Sequence, residues 1–298
     1  MASLILGVHV SKKSKFLDKK EAADISEAIE VEMKELGLNA CQIFVAAPQG
    51  FIMSKLNYDV IKNVCSDIDL SVHSTYTSVG IWKVNKNNIN DVRSKKILGF
   101  LEAQLVACKK IGAHSLVLHI TKQYPEDIAE TMKVIKPIAK KTGVRVLLEM
   151  VASKADPLKT YETPEKLDNL ASKIGVKGTW WGFCIDTAHI WAAGCKEVQK
   201  YDTMKQWFDR MAFKEKIYLI HLNGIYTECG SGKDKHAIAF SPGDKIWGSV
   251  SPKESGVSAV VEFAVNHTIP MICEINIDDA TEAIKSLETI KKLGVVLN

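Results

Sequence analysis

"DVRSKKILGFLEAQLVACKKIGAHSLVLHI", residues 91–120, joins an amphipathic helical stretch to a short apolar run. Gly112 stands after the helical stretch, where a glycine commonly ends a helix. The run SLVLHI (115–120) is as apolar as a strand buried on both faces, and it carries His119 near its C-terminal end. The repetition of this unit, a helix followed by a buried strand with one polar residue near its end, decides the fold.

The same unit recurs along the whole chain. Eight apolar runs can be distinguished: SLILGVHV (3–10), ACQIFV (40–45), LSVHSTY (70–76), SLVLHI (115–120), RVLLEMV (145–151), GFCID (182–186), IYLIHL (217–222) and MICEIN (271–276). Amphipathic stretches such as DISEAIEVEMKELG (24–37) lie between them, and this alternation predicts parallel strands joined by helical crossovers. Because no linker rich in Pro, Gly or Ser divides the chain, we expect an α/β fold in which residues 1–298 form a single-domain (β/α)8 TIM barrel.

Composition sets broad limits on the class of protein. Apolar residues make up 46% and charged residues 25%, which is ordinary for a soluble globular protein, and the net charge of +4 permits an anionic partner. No apolar run approaches the roughly 18 residues of a membrane-spanning helix, and the opening MASLILGVHV lacks the features of a signal peptide. Seven cysteines without a C-x-x-C motif do not indicate disulfides or a thiolate zinc site. We therefore expect an intracellular protein with no membrane partner.

Six of the runs carry one side chain near the C-terminal end that could bind a metal ion. These residues are His73, His119, Glu149, Asp186, His221 and Glu274. The C-terminal ends of barrel strands meet at one mouth, so we expect these side chains to lie together. Imidazole and carboxylate ligands favour zinc, manganese or iron. Six ligands exceed one tetrahedral site and suit two ions about 3.5–4 Å apart with a bridging carboxylate.

Three further residues could supply a third ion. Asp234 and His236 lie two positions apart in GSGKDKHA (230–237), which places them on one side of an extended chain. His189 follows Asp186 by three positions, so the two share a face in a helix and lie on opposite faces in an extended chain. The spacing alone leaves both conformations open. Since a third ion would use His189, our interpretation is that the two side chains point apart and serve neighbouring ions.

Several motifs resemble the endonuclease IV family of apurinic/apyrimidinic (AP) endonucleases, in this order over essentially the whole chain. They are SVHSTY (71–76), LVLHI (116–120), LLEMV (147–151), FCIDTAHIWAAG (183–194), HLNGIYTECGSGKDKHA (221–237) and MICEIN (271–276). CIDTAHIW and ECGSGKDKHA are most similar to members from large DNA viruses. The resemblance implies a (β/α)8 barrel with three zinc ions per chain, with manganese or iron as alternatives at one site. It assigns His73, His119 and Glu149 to one ion, Glu149, Asp186, His221 and Glu274 to the second, and His189, Asp234 and His236 to the third.

The resemblance also implies a reaction. Family members act in base excision repair on double-stranded DNA, where they hydrolyse the phosphodiester 5′ to an abasic site and leave a 3′ hydroxyl. It further implies repair of blocked 3′ ends and, in some members, 3′–5′ exonuclease activity. Glu274 and Glu149 would be the catalytic residues. We expect a monomer located in the cytoplasm or nucleus or, for a viral protein, in the host cytoplasm or the virion.

Two lysine-rich loops follow predicted strands and would face DNA at the barrel mouth. SKKSKFLDKK (11–20) contains Lys12 and Lys13, and TSVGIWKVNKNN (77–88) contains Lys83. Loops after barrel strands surround the mouth, so these lysines are predicted to contact the phosphate backbone.

Three other residues are predicted to contact the lesion. Tyr76 matches a family tyrosine that fills the gap left by the missing base. Gln49, within AAPQGF, stands where the family has an arginine, which departs from the family pattern for the opposite strand. Trp82 is predicted to substitute for that arginine by inserting into the DNA.

Two alternatives remain open at this stage. A sugar isomerase or epimerase of the related xylose-isomerase-like barrels would use one or two divalent ions and would not need His189, Asp234 and His236. A barrel without catalytic activity could instead bind damaged DNA or scaffold a repair complex. The number of ions per chain separates the first alternative from the nuclease, and turnover on an abasic duplex separates the second.

Overall fold

The computed structural model describes residues 3–13, 16, 21–153, 156–274 and 280–295. Eight parallel strands form a closed barrel. They are β1 (Leu6–His9), β2 (Ala40–Phe44), β3 (Asp69–His73), β4 (Ser115–Ile120), β5 (Arg145–Met150), β6 (Trp181–Asp186), β7 (Ile217–His221) and β10 (Met271–Cys273). Their order around the barrel is β1-β10-β7-β6-β5-β4-β3-β2. The predicted (β/α)8 TIM barrel is confirmed, whereas one domain over residues 1–298 stays a prediction.

Helices follow the strands along the chain. They are α1 (Ile25–Leu36), α2 (Tyr58–Val64), α3 (Val92–Ile111), α4 (Pro125–Thr142), α5 (Pro164–Ile174), α6 (Thr187–Ala192), α7 (Tyr201–Arg210), α8 (Gly256–His267) and α9 (Ala280–Val295). A short antiparallel ribbon, β8 (Gly224–Ile225) with β9 (His236–Ala237), follows β7. Among the described residues, no helix is both long enough and apolar enough to cross a membrane.

Local signals explain where the helices begin and end. The side chain of Asp91 accepts a hydrogen bond from the backbone N–H of Ser94 and caps α3, and Gly112 ends this helix at φ 82°. That left-handed conformation costs a residue with a Cβ more than it costs glycine. Gly7 has a different role, because a Cβ there would lie 2.0 Å from the carbonyl oxygen of Ala40. Only glycine therefore lets β1 approach β2 this closely.

The barrel interior changes from apolar to polar towards its mouth. A buried layer inside the barrel consists of Ala40, Val117, Leu147, Cys184, Leu219 and Ile272. Side chains two positions apart in a strand point to the same face, so the residues two positions further along also point inward. These residues are Gln42, His119, Glu149, Asp186, His221 and Glu274. The apolar layer thus forms the floor beneath a ring of polar side chains.

Parts of two predicted segments lie outside the described residues. They are residues 14, 15 and 17–20 of the first lysine-rich loop, and residues 275 and 276 of the last predicted strand. Glu274 follows β10 directly and is described.

Candidate metal centre

The first group of predicted ligands comes from three adjacent strands. The Nε2 atoms of His73 and His119 lie 3.2 Å apart. Each lies close to the same oxygen of Glu149, at 3.3 Å from His73 and 3.2 Å from His119. Glu149 is fully buried and His73 nearly so. One ion could therefore be held by two imidazole nitrogens and one carboxylate oxygen at the ends of β3, β4 and β5.

The second group uses the other oxygen of Glu149. Nδ1 of His221 lies 3.2 Å from Glu149 Oε1, 3.3 Å from Glu274 Oε2 and 3.8 Å from Asp186 Oδ2. One ligand atom from each of these four residues fits within 4.8 Å of the others. Because Glu149 turns one oxygen to each group, it is placed to bridge two ions.

The third group of predicted ligands lies on α6 and on the segment that leads into β9, not on the barrel strands. Asp234 lies 2.9 Å from Nε2 of His236 and 3.2 Å from Nε2 of His189, measured from its two carboxylate oxygens. His236 begins β9, and Asp234 lies two positions before it. His236 also approaches Asp186 Oδ2, at 3.7 Å. The third group therefore adjoins the second.

The interpretation that Asp186 and His189 point apart is wrong. Strand β6 ends at Asp186, and α6 starts at once, with the Asp186 side chain accepting a 2.7 Å hydrogen bond from the backbone N–H of His189. In a helical turn, residues three apart share a face. Asp186 Oδ2 and His189 Nδ1 are consequently only 3.8 Å apart and point into the same cluster.

The donor set fits divalent metal ions. Four buried atoms of the cluster make no hydrogen bond: Glu149 Oε2, both ring nitrogens of His189, and Nε2 of His236. Buried polar atoms normally have partners, and leaving one without a partner costs about 1–3 kcal/mol. The distances and the imidazole and carboxylate chemistry suit zinc or a similar ion, which would satisfy these atoms.

The charges in the cluster favour binding of cations. Burial alone would lower the pKa of His236, but Asp234 and then Asp186 raise it to about 9. Burial would raise the pKa of Glu274, yet His221 lowers it to about 2. Asp186 has a raised pKa, mainly because it is fully buried. The carboxylates thus attract positive charge, whether it is carried by imidazolium or by a metal ion.

Asn223 holds two of the carboxylates and was not predicted from the sequence. Its side-chain N–H groups donate to Asp186 Oδ2 at 2.8 Å and to Glu274 Oε2 at 3.1 Å. Its side-chain oxygen accepts a 2.8 Å hydrogen bond from the backbone N–H of Glu274. The signal in the sequence was its place in HLN, two positions after His221.

Gln42 is a second residue that the sequence analysis missed. It is fully buried, and its side chain contacts His9 on β1, Ser71 on β3 and His221 on β7. The signal was a single glutamine in the apolar run ACQIFV, at the same inward phase as the predicted ligands on other strands.

A cavity of about 380 Å³ opens above the cluster, and Tyr76 forms part of its wall together with Asp234, His236 and Glu274. Tyr76 is 51% exposed, and burial of its remaining surface raises its pKa to about 12. Its backbone N–H donates to the carbonyl of Pro48 at 2.9 Å, which ties it to the exposed turn that carries Gln49. The geometry brings Tyr76 and Gln49 to one side of the mouth.

The predicted lysines are exposed on loops that follow strands at the mouth. Lys12 donates to the carbonyl of Ala23 at 3.1 Å, and Lys13 lies 3.9 Å from Glu21. Lys83 ends a 3₁₀ segment, Tyr76–Lys83, that follows β3. Their contacts with DNA stay a prediction.

Trp82 does not have the predicted placement. It is only 5% exposed, and its indole N–H donates to the carbonyl of His119 at 2.8 Å. Inserting the ring into DNA would break this hydrogen bond and expose a packed aromatic side chain. The prediction that Trp82 inserts into DNA is therefore wrong. Trp82 is a core residue that supports the end of β4.

Fold and site together define a TIM barrel whose mouth could hold divalent ions. Residues 31–295 match the model of the family described as xylose isomerase-like TIM barrel. The chain is 32% identical over 257 residues to a probable AP endonuclease of African swine fever virus, covering 82% of this chain and 81% of that protein. It is also 28% identical over 247 residues to a probable endonuclease 4 of Mycoplasmopsis pulmonis, covering 78% and 81%. The chain belongs to the endonuclease IV family of AP endonucleases, within the xylose isomerase-like TIM barrels.

Solved structures agree on the fold. The crystal structure of AsfvAP:AG has a TM-score of 0.81 at 27% identity and covers 99% of this chain and 100% of that chain. Endonuclease IV from Thermus thermophilus has a TM-score of 0.68 at 20% identity, with 97% and 98% covered. A D-tagatose 3-epimerase-like protein also aligns, at 15% identity and a TM-score of 0.63 over 99% and 98% of the chains. The latter two likenesses concern the fold alone.

Proposed function

We propose that this protein is a metal-dependent AP endonuclease that hydrolyses the phosphodiester 5′ to an abasic site in double-stranded DNA and leaves a 3′ hydroxyl. The observation that carries the proposal is the meeting of nine imidazole and carboxylate side chains beneath an open cavity at the barrel mouth. The viral relative named probable AP endonuclease supports it.

Three zinc ions per chain would suit this donor set, with manganese or iron as alternatives at one site. His73, His119 and Glu149 would hold the first ion, and Glu149 would bridge to the second ion, held with Asp186, His221 and Glu274. His189, Asp234 and His236 would hold the third. When bound, such ions supply Lewis-acid polarisation of the phosphate and activation of water.

The two proposed catalytic carboxylates differ in environment. Glu149 is fully buried and makes contacts through both oxygens, so its role is to fix the spacing of the two ion sites. Glu274 lines the cavity, and Asn223 orients its carboxylate. With its pKa lowered to about 2, Glu274 is ionised at neutral pH and can orient an attacking water by accepting a hydrogen bond from it.

The rim residues would hold the DNA. Tyr76 would occupy the space of the missing base, Gln49 would contact the opposite strand, and Lys12, Lys13 and Lys83 would contact phosphates. A nucleotide without a base leaves the duplex at low cost because it has nothing to unstack. The deoxyribose and its 5′ phosphate could thus enter the cavity.

The experiment uses the purified full chain. Metals are counted by elemental analysis, and a duplex with one tetrahydrofuran abasic analogue is incubated with wild type, Glu274→Gln and Glu262→Gln. Glu262 is the matched control, since it pairs with Lys205 on the outside of the barrel. We expect three zinc ions, cleavage 5′ to the lesion with a 3′ hydroxyl product, a loss of about 10²-fold or more in Glu274→Gln, and unchanged cleavage in Glu262→Gln.

Other results would contradict the proposal. Full metal loading without cleavage would favour a barrel that only binds DNA, and one ion with no cleavage would favour a sugar isomerase. Duplexes with blocked or undamaged 3′ ends, tested in the same preparation, would measure 3′-end repair and exonuclease activity. Sedimentation of that preparation would test whether residues 1–298 act as a monomer.

A further inference from the structure

Gln42 occupies an unusual place among the residues that point into the barrel. It lies two positions after Ala40, a residue of the buried apolar layer. Five predicted metal ligands lie two positions after the layer residue of their own strand: His119, Glu149, Asp186, His221 and Glu274. On β2 this position holds a residue that is a poor metal ligand. Its amide can donate and accept hydrogen bonds instead.

The contacts of Gln42 connect three strands. The nitrogen end of its amide, Nε2, lies 3.1 Å from Nε2 of His221 and 3.3 Å from the hydroxyl of Ser71. The other end lies 3.2 Å from Nδ1 of His9. His9 and Ser71 are also the direct strand neighbours of Gln42 in the barrel. The amide is therefore fixed in position from both sides.

The other nitrogen of His221 faces the carboxylates. Nδ1 lies 3.2 Å from Glu149 and 3.3 Å from Glu274, so it is the atom that would bind an ion. An imidazole that binds an ion through Nδ1 carries its proton on Nε2, and that N–H requires an acceptor. The amide of Gln42 lies 3.1 Å from this Nε2, within hydrogen-bond distance.

We propose that Gln42 is a positioning residue, whose amide oxygen accepts a hydrogen bond from Nε2–H of His221 and so keeps Nδ1 as the ion-binding nitrogen. This role requires the amide to be turned over, so that its oxygen faces His221 and its nitrogen faces His9; the two ends have nearly the same shape, and the turned amide fits the same position. The amide N–H groups then donate to Nδ1 of His9, and Ser71 can donate to the amide oxygen, since a hydroxyl serves either way. The inference rests on the proposed binding of an ion by His221.

The test compares variants that change only the amide. Gln42→Met removes the acceptor at similar length, and Gln42→Glu keeps an acceptor. Gln104→Met is the matched control, because Gln104 is equally buried but contacts Thr75 and Ser78 instead of a predicted ligand. Zn²⁺ affinity is measured by competition with a chromophoric chelator, and His221→Ala identifies the binding step to which His221 contributes.

We expect the Zn²⁺ affinity of the binding step to which His221 contributes to fall by about 10–100-fold in Gln42→Met. This is the range for loss of a residue that supports a ligand. The affinity should stay unchanged in Gln104→Met and recover in Gln42→Glu. In the ¹⁵N-histidine spectrum of the zinc-loaded wild type, His221 should show a slowly exchanging Nε2–H that is absent in His221→Ala and lost to exchange in Gln42→Met.

Two results would overturn the proposal: wild-type Zn²⁺ affinity in Gln42→Met, or a proton on Nδ1 of His221 in the zinc-loaded wild type. The second needs no variant, so the test survives if Gln42→Met fails to fold. If His221→Ala binds as much Zn²⁺ as wild type, the proposed ion site itself fails. If His221→Ala loses Zn²⁺ and Gln42→Met does not, only the role of Gln42 fails.

Discussion

Replacing Asn223 by alanine should destabilise the protein more than an ordinary polar substitution. The change removes donors to Asp186 at 2.8 Å and Glu274 at 3.1 Å, and an acceptor for the backbone of Glu274 at 2.8 Å. A hydrogen bond to a charged group contributes about 1.5–3 kcal/mol, so two contribute about 3–6 kcal/mol. Since the Glu274 side chain is 15% exposed and water can reach it, we expect a loss of about 3–5 kcal/mol.

The assay is thermal unfolding of chelator-treated protein, followed by circular dichroism. For a chain of this size, about 3–5 kcal/mol corresponds to a fall in Tm of roughly 5–8 °C. Asn39→Ala is the control, because exposed Asn39 makes two similar hydrogen bonds to the neutral backbone of Leu6 and Leu4. It should cost no more than about 1.5 kcal/mol. If Asn223→Ala lost less than about 1 kcal/mol, the view that Asn223 holds the two carboxylates would be refuted.

Three further predictions concern ions, DNA and packing. Removal of metal with a strong chelator should lower both cleavage and Tm, and added Zn²⁺ should restore them, because an ion that binds only the folded state stabilises it; an unchanged Tm would contradict the proposed ion sites. Changing Lys12, Lys13 and Lys83 together to alanine should flatten the plot of log affinity against log salt by up to about 0.9 for each phosphate that is no longer neutralised; an unaltered slope measured by fluorescence anisotropy would place the DNA elsewhere. Gly7→Ala should destabilise by about 1–3 kcal/mol or more, since the new Cβ would lie 2.0 Å from the carbonyl of Ala40; equilibrium unfolding in urea equal to wild type would refute this.

The fold could be predicted because its signals repeat at regular spacing. Each buried strand shows as an apolar run, and residues two positions apart share a face. Because of this alternation, His119 points into the barrel like Val117, and His221 points into it like Leu219. The convergence of distant residues followed from the barrel itself, since its strand ends meet at one mouth.

Other features depended on packing that sequence spacing does not report. Trp82 lies in a polar, lysine-containing segment that the sequence indicates is an exposed loop. Its indole N–H nevertheless donates to the carbonyl of His119, 37 positions away. Asp186 and His189 could be assigned to one face or two, and the immediate start of α6 decided it. Gln42 contacts the candidate ligand His221, and Asn223 donates to the candidate ligand Asp186. Neither side chain is a common metal ligand, so the residue types alone do not indicate a role at the site.

The third group of candidate ligands depends on loops more than on the barrel strands. The first two groups rest mainly on the barrel strands, which carry His73, His119, Glu149, Asp186 and His221. His189, Asp234 and His236 instead depend on α6 and the segment before β9.

These two elements brace each other, because the N–H groups of Gly230 and Gly232 donate to the carbonyls of Trp191 and Ala192 at the end of α6. Both glycines have positive φ, 71° and 65°, which other residues adopt only at a cost. The GSGKDKHA motif therefore has a structural reason: its glycines dock the segment on α6 and bring Asp234 and His236 to His189. A variant of this chain that keeps the strands but lacks this docking should retain the first two groups of candidate ligands and lose the third.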